Sequence, residues 1–190
     1  MEERQRKGES PKKGNVYKLV QMGVMAAVIC VLAPLSIPIG VVPISFTNLA
    51  IYFALYLLGW KMGTCSLLCY LVIGMIGVPV FSGFSGGFGK LLGPTGGFII
   101  GFIPLAVVSG LAIDKLHNKI LQFLGLVLGI VLCYAFGTAW FCFEAGVGIR
   151  EALGVCVIPF IPGDLIKIVI AMAVGPMLRK ALTRAGLYRQ

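Results

Sequence analysis

A carboxylate and an ammonium group, Asp164 and Lys167, lie three residues apart in otherwise apolar sequence. Pro162 suits the first turn of a helix, where its missing N–H is not needed, and the helix dipole favours an anion at Asp164. The i, i+3 spacing places both side chains on one face of that helix. Because a charge at membrane depth costs about 2.5–3.5 kcal/mol, such residues usually face a cavity. The pair therefore predicts a ligand site, and the alternative is a structural ion pair that holds two helices together.

The composition of the chain is that of an integral membrane protein. Of its 190 residues, 58% are hydrophobic and 12% are charged, and the mean hydropathy is +0.98. A soluble domain of this length does not bury so much apolar sequence. The net charge of +9 is also compatible with a nucleic-acid partner. The basic residues flank apolar segments instead of forming a stripe on a polar domain, which argues against nucleic-acid binding.

The six cysteines do not form a recognisable site. They lie inside or at the edges of apolar runs, no two are spaced as CxxC, and His117 is the single histidine that could join them. We therefore interpret them as small packing residues and expect neither a disulfide nor a metal site. Residues 1–15 are polar and charged and lack the short apolar core of a signal peptide.

Six apolar segments predict an all-α fold with six transmembrane helices. We place them at about 16–33, 45–58, 63–76, 94–113, 120–143 and, after a loop near 144–151, up to 178. The transmembrane domain then covers 16–180, with a disordered tail at 1–15 and a basic tail at 181–190. Prolines prevent regular helix in the loop 34–45, and glycines make 77–97 the least helical stretch.

The distribution of basic residues predicts the orientation of the chain. Six spans put both termini on one side, where Lys and Arg number 13, against Lys90 and Arg150 on the other side. The positive-inside rule therefore predicts that both termini are cytoplasmic. The loops 34–45 and 77–97 and the Asp164 end of the last helix then meet towards the extracellular side. This arrangement predicts an outward-opening ligand pocket covered by two loops.

The residues near this pocket suit a small amphipathic organic molecule better than a bare ion. Besides the charged pair, they offer polar side chains, aromatic faces and glycine-rich backbone, namely Thr47, Asn48, Ser85, Phe81, Phe84, Phe88 and Gly86. The phenylalanines are consistent either with a hydrophobic lid or with lipid-facing anchors. The glycines are not a nucleotide loop, because Gly89-Lys90 lacks the earlier glycine of a phosphate loop and Leu92 replaces the last glycine of the dinucleotide fingerprint.

Four short motifs resemble the BioY family, the biotin-specific substrate-binding (S) components of energy-coupling factor (ECF) transporters. The motifs are Ser-Ile-Pro-Ile-Gly at 36–40 with Val-Pro at 42–43, Gly-Val-Pro-Val-Phe at 77–81, Gly-Pro-Thr-Gly-Gly at 93–97 and Ile-Pro-Gly-Asp-Leu-Ile-Lys at 161–167. The resemblance covers nearly the whole chain from Val16 onwards. It departs from the common pattern at Phe98, where tyrosine is frequent, and at Thr47, where glutamine can occur.

The resemblance implies a six-helix protein of the prokaryotic cell membrane that binds biotin at its outer face for uptake. It implies that Asp164 and Lys167 contact biotin, and we expect the site also to include Thr47, Asn48, Phe84, Ser85, Gly86 and Phe88. It also implies that Gly23 and Ala27 form the docking surface for the transmembrane coupling subunit, since small residues four apart let helices approach closely. Two partner ATPase subunits would hydrolyse ATP, and the chain itself would need no cofactor.

The chemistry of biotin is compatible with the charged pair. Ionised Asp164 offers only acceptors and matches the two N–H groups of the ureido ring. Lys167 offers only donors, so it matches either the ureido carbonyl or the carboxylate of the aliphatic tail. The sequence leaves both assignments of Lys167 open.

Other classes of function are less consistent with the residues. An enzyme would need a catalytic constellation, and the sequence has no paired-carboxylate metal site, no histidine cluster and no G-x-S-x-G motif. We therefore expect no enzymatic activity. A stand-alone secondary transporter would more typically show inverted repeats or a proton relay. The alternatives that stay open are an S component for another small vitamin and a stand-alone transporter.

Overall fold

The computed structural model describes residues 11–37 and 42–185 and, from residue 16 onwards, their side chains. This described part is mostly helical, as the sequence predicts, with seven helices and one two-stranded hairpin. In chain order the elements are α1 (Pro11–Leu32), β1 (Ser36–Ile37), β2 (Ile44–Ser45), α2 (Thr47–Met75), α3 (Phe88–Leu92), α4 (Gly96–Lys115), α5 (Lys119–Ala145), α6 (Ile149–Cys156) and α7 (Ile161–Arg184).

Four of these helices, α2, α4, α5 and α7, are long and apolar enough to cross a membrane by length and composition. The apolar part of α1, Val16–Leu32, is shorter. Large hydrophobic side chains project outwards from the bundle, and Val24, Leu128 and Val169 are each more than half exposed. An outer surface of this kind suits contact with lipid chains better than contact with water.

The helix α2 reverses direction at Gly59 and therefore consists of two arms. Gly59 has a φ of 79°, a left-handed conformation that glycine adopts without a Cβ clash. A Cβ on Gly63 would lie 3.1 Å from the backbone of Ala54, although nine residues of straight helix span roughly 13.5 Å. Asp114 of α4 accepts a hydrogen bond from the backbone N–H of Trp60 at 2.8 Å. This bond satisfies an amide at the start of the second arm, and the predicted turn between the second and third spans is confirmed.

Both arms of α2 form the centre of the core, where they contact α1, α4 and α7. Tyr52, Leu67 and Tyr70 are among the largest fully buried side chains. At the seam between α4 and α5, a Cβ on Gly101 would lie 3.1 Å from the backbone of Cys133. Small residues at such a seam let two helix backbones approach closely. The bundle is therefore packed tightly enough to hold a side chain at a fixed position.

The helices differ from the prediction in four places. The helix α1 begins at Pro11, within the segment that we assigned to the disordered tail, and α7 continues to Arg184, past the predicted start of the basic tail. The predicted sixth span contains two helices, because a turn at 157–160 separates the short α6 from α7. The loop 77–97 contains the short α3. The predictions for 1–10, 38–41 and 186–190 fall outside the described residues.

Candidate functional site

The start of α7 determines the position of Asp164 and Lys167. This helix begins at Ile161 with proline in its first turn. Both charged side chains are buried, with exposed fractions of 5% for Asp164 and 7% for Lys167. The predicted pairing on one helix face is confirmed, since Nζ of Lys167 lies 2.9 Å from Oδ1 of Asp164. Burying a charge is costly unless it is paired and hydrogen-bonded, so the remaining polar atoms of the pair need partners too.

The Asp164 carboxylate accepts hydrogen bonds from three side chains. Oδ1 accepts from Nζ of Lys167 at 2.9 Å and from Nδ2 of Asn48 at 3.3 Å. Oδ2 accepts from the hydroxyl of Tyr134 at 2.6 Å. Hydrogen bonds to an ionised group are stronger than those between neutral groups. Because Asn48 lies in α2 and Tyr134 lies in α5, this carboxylate connects three helices of the bundle.

Lys167 connects the same site to the β-hairpin. Its Nζ also donates to the backbone carbonyl of Ser45 at 2.8 Å. Ser45 is the last residue of β2 and pairs with Ser36 of β1, and its hydroxyl lies 2.8 Å from that of Thr47. An ammonium group has three N–H donors, and two of them are directed at these protein acceptors. Among the described residues no acceptor takes the third donor of Lys167, which is available to another partner.

A small cavity with several aromatic residues in its walls lies beside the charged pair. Thr47, Asn48 and the charged pair supply polar atoms to it. The aromatic residues that line it are Tyr70, Phe81, Phe98, Phe102, Tyr134 and Phe160. The cavity has a volume of about 60 Å³, whereas small-molecule pockets usually have about 300–1,000 Å³. Its walls must therefore move apart to admit an organic molecule.

A larger apolar groove lies on the other side of Tyr134 and Asp164. It has a volume of about 760 Å³, lies between α5, α6 and α7, and shares Ile130, Tyr134 and Asp164 with the cavity. Its other lining residues are apolar apart from Thr138. A binding site usually combines apolar walls with a few convergent polar groups. We therefore place the candidate site in the smaller cavity, where the donors and acceptors converge.

The structure brings together half of the residues that the sequence analysis assigned to the ligand site. Thr47, Asn48, Asp164 and Lys167 line the cavity, and the other four do not. These four are Phe84, Ser85, Gly86 and Phe88. Phe84 and Phe88 project outwards with exposed fractions of 66% and 65%, so they form no part of the cavity wall.

The fold of the loop after α2 explains this difference. Phe81 and Ser85 pair through two backbone hydrogen bonds, and the hydroxyl of Ser85 donates to the carbonyl of Ser82 at 2.8 Å. The turn directs Phe81 inwards, where its ring meets that of Tyr70 edge-on at 5.6 Å. Gly86 lets two parts of the loop approach closely, since a Cβ there would lie 2.3 Å from the carbonyl oxygen of Val78. The loop thus contributes Phe81 and Ser82 to the cavity instead of the residues that follow them.

Sequence reasoning missed Tyr134 and the carbonyl of Ser45. Tyr134 lies in the middle of an apolar helix, and a buried tyrosine hydroxyl usually has a hydrogen-bond partner. That rule predicts a polar partner for the Tyr134 hydroxyl, although it does not identify Asp164 as that partner. The Ser45 carbonyl carried no signal in its residue type, because every residue has a backbone acceptor.

The small residues of α1 lie on two different faces. Gly23 and Ala27 are exposed, and no atom of the described residues lies within 4 Å of a Cβ built on Gly23. Ala26 is buried and Cys30 is partly buried against the rest of the chain. The face with Gly23 and Ala27 therefore has room for the backbone of another helix.

All six cysteines are free. Cys133 and Cys156 are buried, in agreement with a packing role. Cys65 and Cys69 are exposed on α2, so the prediction of a packing role within the chain is wrong for these two. In the described part of the chain, no group of three or more His, Cys, Asp or Glu side chains could hold a metal ion.

Comparison with known proteins confirms the resemblance seen in the motifs. The model of the BioY family matches residues 5–184. A protein of Thermotoga maritima named biotin transporter BioY is 37% identical over 163 residues, which is 86% of this chain and 96% of that protein. A protein of Lactococcus lactis subsp. cremoris named biotin transporter BioY2 is 33% identical over 174 residues, or 91% of this chain and 96% of that protein.

A solved structure has the same fold. It is described as the crystal structure of the S-component for biotin from an ECF-type ABC transporter. It superposes with a TM-score of 0.81 at 32% identity and covers 90% of this chain and 95% of that chain. These relatives are transport proteins and not enzymes, which confirms that no enzymatic activity is expected. Together with the four long apolar helices, they indicate a multi-pass membrane protein. The chain belongs to the BioY family.

Proposed function

We propose that this chain binds biotin in the cavity beside Asp164 and Lys167 and delivers it for uptake as the S component of an ECF-type ABC transporter. The observation that carries the proposal is the buried, hydrogen-bonded pair of Asp164 and Lys167 in a chain of the BioY family. The names of the relatives, biotin transporter and S-component for biotin, support the same ligand and role.

The donors and acceptors of the cavity complement those of biotin. The Asp164 carboxylate accepts hydrogen bonds from the ureido N–H groups, and the third donor of Lys167 serves either the ureido carbonyl or the tail carboxylate. The aromatic walls pack against the apolar sulfur ring. From the loop after α2 the site includes Phe81, which the sequence already placed near the pocket, and Ser82, whereas Phe84, Ser85, Gly86 and Phe88 do not line it.

We further propose that the chain crosses the prokaryotic cell membrane six times, with both termini in the cytoplasm. The crossing segments are α1, the two arms of α2, α4, α5 and α7, and the domain they form covers 16–180. The excess of 13 Lys and Arg on one side over 2 on the other supports this orientation. The cavity then opens towards the extracellular side.

The remaining parts of the proposal concern the partners. The open face of α1 at Gly23 and Ala27 docks on the transmembrane coupling subunit, since small residues permit close helix approach. Two ATPase subunits supply the energy by hydrolysing ATP, and the chain itself uses no cofactor. An S component for a different vitamin is the competing possibility.

Mass spectrometry of the ligand carried by the purified protein tests the function. Protein expressed in a biotin-containing medium should release biotin on denaturation, and the Asp164→Asn variant should release much less. Glu151→Gln is the matched control, because Glu151 is exposed and lies outside the cavity. Recovery of another vitamin from the wild type, or of equal amounts of biotin from the wild type and Asp164→Asn, would contradict the proposal.

A further inference from the structure

The cavity beside Asp164 must widen to hold biotin, and its walls differ in how freely they can move. Its volume of about 60 Å³ lies well below the roughly 300–1,000 Å³ of a small-molecule pocket. Because protein interiors are close-packed, a ring in the wall can move only where free space adjoins it. The surroundings of each aromatic residue therefore indicate which part of the wall can yield.

Most of the aromatic rings in the wall are in tight contact with protein. Phe81 is fully buried, and a Cβ on Gly74 would lie 2.2 Å from its ring. The ring of Phe98 packs on the backbone of α5 in the same way, since a Cβ on Gly137 would lie 2.3 Å from it. The other buried aromatic residues of the wall are Tyr70, Phe102 and Phe160. Movement of these rings would require the protein around them to move as well.

Tyr134 differs from these residues because free space adjoins it outside the cavity. Its side chain is only partly buried, and it lines both the cavity and the apolar groove of about 760 Å³ between α5, α6 and α7. Ile130, one helical turn earlier, and Asp164 also line both spaces. Three side chains thus separate the cavity from the groove, and Tyr134 contributes the aromatic ring of this partition.

The hydrogen bond of Tyr134 is compatible with a movement of its ring. Its hydroxyl donates to Oδ2 of Asp164 at 2.6 Å, and Asp164 faces the groove as well as the cavity. The ring can therefore tilt towards the groove while the hydroxyl stays on the carboxylate. A long side chain on a helix lies over the preceding turn, where Val131 lines the groove. The free space beside Val131 is thus within reach of the ring.

We propose that Tyr134 is the movable wall of the ligand site and that the groove provides the space into which its ring moves. This inference rests on the proposed function, since it assigns biotin to the Asp164 cavity. In the bound protein the ring of Tyr134 lies against Val131 and Leu165, and biotin takes the space that the ring leaves. Val131 and Leu165 line the groove but not the cavity, so they are positioning residues that act on the ligand through Tyr134.

Filling the groove tests the proposal. Val131→Phe should weaken biotin binding by roughly tenfold or more, because the added ring occupies the space that Tyr134 needs. Val169→Phe is the matched control, since both valines are at least half exposed and Val169 lines neither the cavity nor the groove. This control should bind biotin like the wild type. Isothermal titration calorimetry on the purified full chain measures the three affinities.

Two further measurements distinguish positioning of the wall from a general loss of structure. The thermal midpoint without biotin should be the same in Val131→Phe and the wild type, because the added ring lies in free space of the unliganded protein. Val131→Ala should bind biotin at least as tightly as the wild type, because it leaves the groove open. A lower midpoint in Val131→Phe together with weaker binding in Val131→Ala would assign Val131 a structural role and overturn the inference.

Equal biotin affinity in the wild type and Val131→Phe would also overturn the inference, because the cavity would then widen elsewhere, and it would leave the proposed function intact. A wild type that does not bind biotin would instead contradict the proposed function itself. If Val131→Phe does not fold, Ala135→Phe fills the same groove from an exposed position and should show the same loss of affinity. An undiminished affinity in that variant would equally contradict the movement of Tyr134.

Discussion

Asp164 accepts hydrogen bonds from three protein side chains, and this fact determines what a ligand can gain from it. An ionised carboxylate offers about four lone-pair sites, and the ureido ring brings two N–H donors. In the proposed binding mode, at least one protein donor must therefore leave when biotin binds. Asn48 forms the longest of the three bonds, at 3.3 Å, and is the donor that leaves at the lowest cost. The proposed binding mode is thus an exchange of hydrogen-bond donors around the Asp164 carboxylate.

The first prediction concerns the charged pair. Asp164→Asn and Lys167→Ala should each weaken biotin binding by about tenfold or more, because each leaves the other charge buried without its partner. The double variant should lose less than the sum of the two losses, since neither charge is then stranded. Biotin affinity in detergent or nanodiscs measures this cycle. Single variants that bind like the wild type would make the pair a structural lock between helices.

A second prediction separates the stability role of Tyr134 from ligand binding. Tyr134→Phe should lower the thermal midpoint of the protein without added biotin, because Oδ2 of Asp164 loses its donor. It should leave biotin affinity within about threefold of the wild type, since a ureido N–H can take the vacant acceptor site. Tyr56→Phe is the control, because the buried hydroxyl of Tyr56 has no hydrogen-bond partner among the described residues. A large loss of affinity in Tyr134→Phe would instead place the phenol in contact with biotin.

The residues of the site were predictable to the extent that their contacts are local in sequence. Asp164 and Lys167 are one helical turn apart, so their spacing alone placed them together. Tyr134 and Ser45 lie 30 and 122 residues from their partners, and no short-range pattern reports such a contact. The sequence could therefore indicate where the charges lie, but only the packing of α2, α5 and α7 shows which groups neutralise them.

At the scale of elements, glycine marks where sequence reasoning succeeded and where it failed. The helix end at Gly59 was predictable because an aromatic residue and a lysine follow this glycine between two apolar segments. In the loop 77–97 glycines are so frequent that many turns are compatible with the sequence. The turn that the loop adopts is selected by the burial of Phe81, whose ring occupies the space beside Gly74. The predicted helix boundaries were wrong near both ends of the described chain, because polar residues extend α1 and α7 beyond their apolar parts.

The helix α1 carries a prediction about assembly. Ala27→Trp should block co-purification with the transmembrane coupling subunit and leave biotin binding intact, because the added ring fills an outward face far from the cavity. Val28→Trp is the matched control, since Val28 is also exposed but lies beside the row of small residues. An intact complex with Ala27→Trp, or equal loss in both variants, would argue against docking at this face.

At the scale of the whole molecule, charge and helix reversals predict one topology. Reporter fusions after His117 and after Gln190 should make green fluorescent protein fluoresce, because both points are predicted to be cytoplasmic. A fusion after Gly146, between α5 and α6, should make alkaline phosphatase active, because that loop is predicted to lie outside. The reversed pattern would move the cavity to the cytoplasmic side and would contradict uptake from outside.

The buried pair on α7 also bears on how the protein is made. A helix with two charges inserts poorly by itself, since a charge inside a membrane helix is costly, up to about 2.5–3.5 kcal/mol at the helix centre. The hydrogen-bond partners of these charges all lie earlier in the chain: Asn48 and Tyr134 donate to Asp164, and the carbonyl of Ser45 accepts from Lys167. They leave the ribosome first, so the partners of α7 are made before that helix emerges. The order of synthesis thus makes the hydrogen-bond partners of the last helix before the helix itself. If the same helix came first in the chain, its charges would have no partners when it emerged.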